Sequence, residues 1–79
     1  MTVTVRYFAM LRDQRGLESE TVESNWATVG ELVANLAQKH QFSLPSSRIR
    51  SAVNGAFADD NLALTDGDSV VLIPPVAGG

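Results

Sequence analysis

The chain has no cysteine among its 79 residues. That single absence removes disulfide staples, thiolate zinc sites, iron–sulfur ligation and a cysteine nucleophile together. It also suits a reducing compartment. No apolar run approaches the roughly 18 residues that a membrane-crossing helix needs. The opening segment "MTVTVRYF" lacks the apolar core of a secretory signal. The expectation is a mature, soluble, cytoplasmic protein. Basic residues are scarce: six Lys and Arg stand against nine Asp and Glu, for a net charge of −3 and a pI near 4.8. Phosphate backbones and anionic membrane surfaces select basic faces, so neither nucleic acid nor a membrane is expected as a partner. There is one histidine and no glycine-rich phosphate loop, and a chain this short has little room for a private catalytic cleft.

What remains reads as one small globular domain, with 44% hydrophobic and 19% charged residues. "TVTVRYF" (2–8) alternates in period two, with Val3, Val5 and Tyr7 on one side and Thr4, Arg6 and Phe8 on the other, which predicts a strand. "AMLRDQRG" offers a short helical turn closed by Gly16 in the left-handed conformation. The polar segment "ESETVES" around Val22 suits an edge strand. "TVGELVANLAQKH" is the main helix. Val29, Leu32, Val33 and Leu36 fall at i, i+3, i+4 and i+7, on one apolar stripe. Thr28 and Glu31 have the spacing of a capping box, in which each side chain serves the other residue's free N–H. Gly30 in the first turn works against helix propensity by about 1 kcal/mol. "FSLPSSRI" predicts a loop, "RSAVNGAFA" a hairpin about Asn54-Gly55, and "DDNLALTDGD" an irregular stretch ending in the Asp66-Gly67 turn. "SVVLI" is apolar on both sides, as a central strand should be. The order β-β-α-β-β-β implies an α+β fold with the first and last strands adjacent at the centre of a mixed sheet. The helix covers one face. The other face, with Phe8 and one of the two apolar sets of the last strand, is left for a partner.

The C-terminal "VVLIPPVAGG" is the most informative stretch. Pro74 has no N–H for the sheet ladder and Pro75 extends the stop, so the strand ends and a stiff spacer begins. Two units follow: a folded body, 1–73, and a tail, 74–79. From Pro74 to Gly79 the tail reaches roughly 20 Å when extended. Val76 and Ala77 are small and apolar, and Gly78 and Gly79 fit a channel too narrow for any side chain. What such a tail delivers is its terminal carboxylate, which becomes an electrophile once adenylated and a thiocarboxylate once sulfur displaces AMP.

"LTDGDSVVLIPPVAGG" resembles the C-terminal signature of the molybdopterin synthase small subunits, a family of ubiquitin-like sulfur carriers. "VRYFAMLRDQRG" is similar to that family's opening strand and turn, and "AVNG" and the Thr28 helix fall where it has its hairpin and main helix. The resemblance implies a β-grasp fold of about five strands on one main helix with an extended, flexible C-terminal tail. It implies that an adenylating, ubiquitin-activating-like enzyme uses ATP on Gly79, and that a sulfur donor protein supplies the thiocarboxylate. The tail (Pro74, Pro75, Val76, Ala77, Gly78 and Gly79) then enters the large subunit and donates sulfur to precursor Z, cyclic pyranopterin monophosphate. The implied assembly is a heterotetramer. Phe8, Arg12 and Ile73 match positions that face the large subunit in that family. The chain itself is expected to bind no cofactor and no metal and to turn over nothing alone.

Blander readings stand beside these. His40 suits a helix-capping role better than a catalytic base. Asp59-Asp60 and Asp66-Asp68 suit turn chemistry better than a metal. Trp26 is expected to cap the core, and Phe8 belongs either to the core or to the partner face. Two other functions stay open: a different ubiquitin-like carrier (thiamin or cysteine biosynthesis, or a protein modifier), and a β-grasp interaction module with an idle tail.

Overall fold

The computed structural model describes residues 1–23 and 25–75. The elements run β1 (Thr2–Tyr7), α1 (Ala9–Arg15), β2 (Ser19–Glu23), α2 (Val29–Lys39), a 3-10 turn (Ser46–Arg48), β3 (Arg50–Val53), β4 (Ala56–Ala58) and β5 (Ser69–Ile73). The five strands form one sheet in the order β2-β1-β5-β3-β4. β1 lies parallel to β5, with Val5 opposite Val70 and Tyr7 opposite Leu72, and every other pairing is antiparallel. The two apolar strands are therefore central and adjacent, and the polar β2 is an edge. This is the β-grasp arrangement.

Period two decides what is buried. Val3, Val5 and Tyr7 of β1 and Val70 and Leu72 of β5 point to one side, where the stripe Val29, Leu32, Val33 and Leu36 of α2 meets them, all at most 2% exposed. Leu11 of α1, Phe42, Ile49, Val53 and Leu64 complete the core, and Trp26 packs against its margin as a cap. The Asn54-Gly55 turn has φ of 51° and 92°, left-handed at both central positions as a two-residue hairpin of this twist demands. Gly16 closes α1 at φ 80° and donates its N–H to the Arg12 carbonyl.

Four local expectations change. β1 stops at Tyr7, and Phe8 is instead the N-cap of α1, which is a seven-residue helix rather than a single turn. The "FSLPSSRI" stretch contains the 3-10 turn. The capping box is not reciprocal: Glu31 donates its N–H to Thr28 Oγ1 at 3.3 Å, but its carboxylate accepts the N–H of Ala27 at 3.0 Å. An incoming loop explains the difference. Val29 and Gly30 donate to the carbonyls of Leu62 and Asp60, and Leu64 donates to Ala27. That loop also explains Gly30, where an added Cβ would lie 2.7 Å from the Asp60 Cβ and 3.0 Å from its carbonyl oxygen. Close backbone approach, not helix propensity, selects glycine there.

Candidate functional site

The face of the sheet turned away from α2 carries Thr4 and Arg6 of β1, Val71 and Ile73 of β5, Arg50 and Ala52 of β3, and Phe57 of β4. Their placement follows from the registers Arg6–Val71, Ala52–Val71, Ala52–Phe57 and Arg50–Ile73. Val71, Ile73 and Ala52 are half-buried; Phe57 is 67% exposed and Phe8 48%. An apolar surface of this kind, left open beside the end of the central strand, is what a docking face requires.

Phe8 and Ile73 come together at one end of this face, because the N–H of Phe8 donates to the Leu72 carbonyl at 3.2 Å and extends the β1–β5 pairing by one residue. Phe8 thus belongs to the surface and not to the core. Arg12 sits one turn later on α1, exposed, with Nε 3.9 Å from Asp13 Oδ1. It borders a shallow depression shared with Asp13, Gly16, Leu17 and Glu18. Beyond Ile73, Pro74 is buried and Pro75 exposed. Val76, Ala77, Gly78 and Gly79 lie outside the described residues.

Two residues of this surface escape a reading of the sequence. The Arg50 guanidinium carbon stands 4.7 Å from the centre of the Phe57 ring, a cation–π contact beside Ile73. Hairpin register about Asn54-Gly55 is the signal that finds them, since it sets Phe57 opposite Ala52 and leaves it on the outward side.

Beneath this end, on the covered side, lies a polar cluster. The Tyr7 hydroxyl donates to Glu20 Oε2 at 2.6 Å, and Arg15 donates through Nε and Nη2 to both Glu20 oxygens at 2.8 and 2.9 Å. This two-point Arg–carboxylate contact fastens α1 to β2. Arg15 holds the Glu20 carboxyl below the usual range, and burial, with Glu20 beside it, drives the Tyr7 phenol up. His40, the C-cap of α2, has Nε2 4.0 Å from Glu20 and its ring beside Phe42. Burial first, then Arg15, keeps it below its ordinary 6.5. Its place is a helix end wedged into this cluster, away from the open face.

Asp66 and Asp68 brace the stretch that leads into β5. Asp66 Oδ1 accepts the N–H of Thr2 at 2.7 Å. Asp68 accepts the Thr65 N–H at 2.8 Å, the Thr65 hydroxyl at 2.9 Å and the Asn54 amide at 2.9 Å. The first of these contributes most to holding its carboxyl below the ordinary 3.8. Among the described residues no helix is long and apolar enough to cross a membrane.

The model of the ThiS family matches residues 5–79, from the middle of β1 to the final glycine. The chain belongs to the ThiS family. It is 40% identical to the molybdopterin synthase sulfur carrier subunit of Mycobacterium tuberculosis, over 98% of this chain and 96% of that one. Its backbone is similar to SAMP1 of Haloferax volcanii, at TM-score 0.80 and 28% identity over all of both chains. It also resembles a chain from the protein–protein complex of subunits 1 and 2 of the molybdopterin-converting factor of Helicobacter pylori, at TM-score 0.70 and 32% identity, again over all of both chains. The matched region includes β5 and all of the open face except Thr4.

Proposed function

We propose that this protein is the sulfur-carrying small subunit of a molybdopterin synthase and that its reactive group is the C-terminal carboxylate of Gly79. The observation that carries this reading is the family match through Gly79 together with the relatives' shared description as sulfur carrier subunits. The geometry supports it: the central strand β5 ends at Ile73 beside an uncovered apolar surface, and two prolines stop the ladder there.

In this reading an activating enzyme joins the Gly79 carboxylate to the α-phosphate of ATP and releases pyrophosphate. A persulfide of a donor protein attacks the acyl carbon and AMP leaves, giving an acyl disulfide; a thiol then attacks the donor's sulfur, forms a disulfide with it, and releases the Gly79 thiocarboxylate. The body docks through Phe8, Ile73 and Phe57, with Arg12 at the rim. The tail, Pro74 to Gly79, enters the large subunit and gives up sulfur to precursor Z. The assembly is a heterotetramer in the cytoplasm, and this chain contributes no acid or base to the chemistry.

Intact mass of protein isolated with its activating enzyme tests the reading, because one oxygen replaced by sulfur is visible directly. Gly79→Ala should leave melting unchanged while thiocarboxylate formation or sulfur transfer falls at least about tenfold, since a small displacement of reacting atoms is costly in rate. Full molybdopterin formation by that variant would defeat it. A second reading, conjugation to lysines of other proteins, draws on the likeness to SAMP1. Isopeptide adducts that vanish on removal of Gly79, with no sulfur-bearing form, would favour it.

A further inference from the structure

Asn54-Gly55 is used by the fold as a hairpin turn, but it is also the dipeptide whose asparagine cyclises most readily. Without a side chain on the following residue, the Gly55 nitrogen has open access to the Asn54 side-chain carbonyl carbon. We propose that Asn54 is a spontaneous deamidation site, held closed in the folded protein by the β5 root (Asp68 and Ser69).

Every polar group of Asn54 that faces β5 is engaged. Its backbone N–H donates to the Ser69 carbonyl at 2.8 Å. Its side-chain oxygen accepts the Ser69 N–H at 3.0 Å, and its side-chain nitrogen donates to Asp68 Oδ1 at 2.9 Å. The amide is therefore fixed at both ends toward β5, and cyclisation requires it to swing toward Gly55 instead. Asp68 is itself held in place: it is 7% exposed and accepts from Thr65 twice. The turn conformation adds a second restraint, with φ of 51° at Asn54 and 92° at Gly55.

The chemistry balances without an outside reagent other than water. The deprotonated Gly55 nitrogen bonds to the Asn54 Cγ, the C–N bond of the side-chain amide breaks, and ammonia leaves with the proton. Water then opens the succinimide to aspartate or to isoaspartate, which lengthens the backbone by one carbon. Either product replaces the donor that faced Asp68 with an acceptor. Two carboxylates then share the turn, and the second is a buried one, so the modification undoes the contact that had prevented it. The β3–β5 pairing begins at this point, at the root of the strand that leads to the tail. A modified molecule would be loosened there, at the end of the β3–β4 hairpin opposite Ile73.

The full-length protein, incubated in mildly alkaline buffer, is followed by intact mass and peptide mapping, with isoaspartate detected by enzymatic methylation. One sample stays native and one is held unfolded in concentrated urea. Unfolded chains should convert Asn54 faster by at least about tenfold, the factor that ~1.4 kcal/mol of local opening represents. Asp68→Ala, kept native, should fall between the two. Equal rates in native and unfolded wild type would overturn the proposal, whatever the variant does. A folded Asp68→Ala that reacts no faster than native wild type would overturn the role given to Asp68.

Discussion

One sheet has two faces built from alternate residues of the same strands, and they differ completely in what covers them. On the side of α2, Val3, Val5, Val70 and Leu72 are wholly buried under Val29, Leu32, Val33 and Leu36. On the other side, Val71 and Ile73 are half-buried and Phe57 and Phe8 stand in the open. β5 is apolar on both sides although α2 reaches only one. In so small a domain, large apolar groups on the uncovered side weaken solubility and add little to stability, so a surface of this kind is explained by something that binds it. Neighbouring residues 72 and 73 thus stand in different surroundings, the first sealed in the core and the second on the open side where docking is proposed.

The strongest way to break this contrast is to truncate both neighbours. Leu72→Ala should cost about 2–5 kcal/mol, the usual loss for a fully buried leucine, while Ile73→Ala should cost less than half as much. Urea unfolding measures both, and equal losses would mean that the two faces are not different in kind. Next comes Gly30→Ala, at the other end of the covered side. Helix propensity alone favours alanine by about 1 kcal/mol, yet the Asp60 backbone leaves no room, so a net loss of about 1–3 kcal/mol is expected. A gain would show that the loop yields freely.

Acid should weaken the covered side through its polar cluster. His40 has its folded pKa below 6.5, so the unfolded chain takes up the proton first. The stability this represents is whole above pH 6.5 and is lost as pH falls through the depressed value. Glu20 and Asp68 are held below 4.5 and 3.8, and their contributions are lost in turn as pH falls further. Tyr7 works at the opposite limit, because its pKa is raised above 10.0: its contribution is present below pH 10.0 and is lost as pH rises. Unfolding midpoints measured across pH should trace both limbs, and replacing His40 by Gln should flatten the step between about pH 7 and about pH 5.

The smallest effects on stability belong to the open face. Phe8→Asp and Phe57→Asp should change unfolding by no more than about 0.5 kcal/mol. Binding to the large subunit should nonetheless weaken by about 1–3 kcal/mol, measured by calorimetry, as at the centre of an interface. Variants that unfold would place these rings in the core after all.

Much of this was legible before any coordinates. Alternation in "TVTVRYF" separates Val3, Val5 and Tyr7 from the outward residues, the i, i+3, i+4, i+7 stripe defines the buried side of α2, and Asn-Gly fixes the hairpin. These signals are local, and the physics behind them is local too. The exposure of Phe8 was not legible, because a residue at the junction of a strand and a helix has no period to assign it. The partners of Arg50 and Phe57 were hidden for the same reason, as they meet across two strands and a turn. Gly30 looked like a weakness in the helix until the Asp60 backbone appeared against it.

By itself, then, the sequence determined the elements, the buried stripe, the central strand and a terminus ending in two glycines, since backbone sterics and side-chain periodicity act within a few residues. Tertiary structure alone decided which apolar set of β5 stays uncovered, why position 30 must be glycine, how Glu20 gathers Tyr7, Arg15 and His40, and how Asn54 is clamped to Asp68. Each of these depends on groups distant in the chain meeting within a few ångströms, and only the folded chain brings them together.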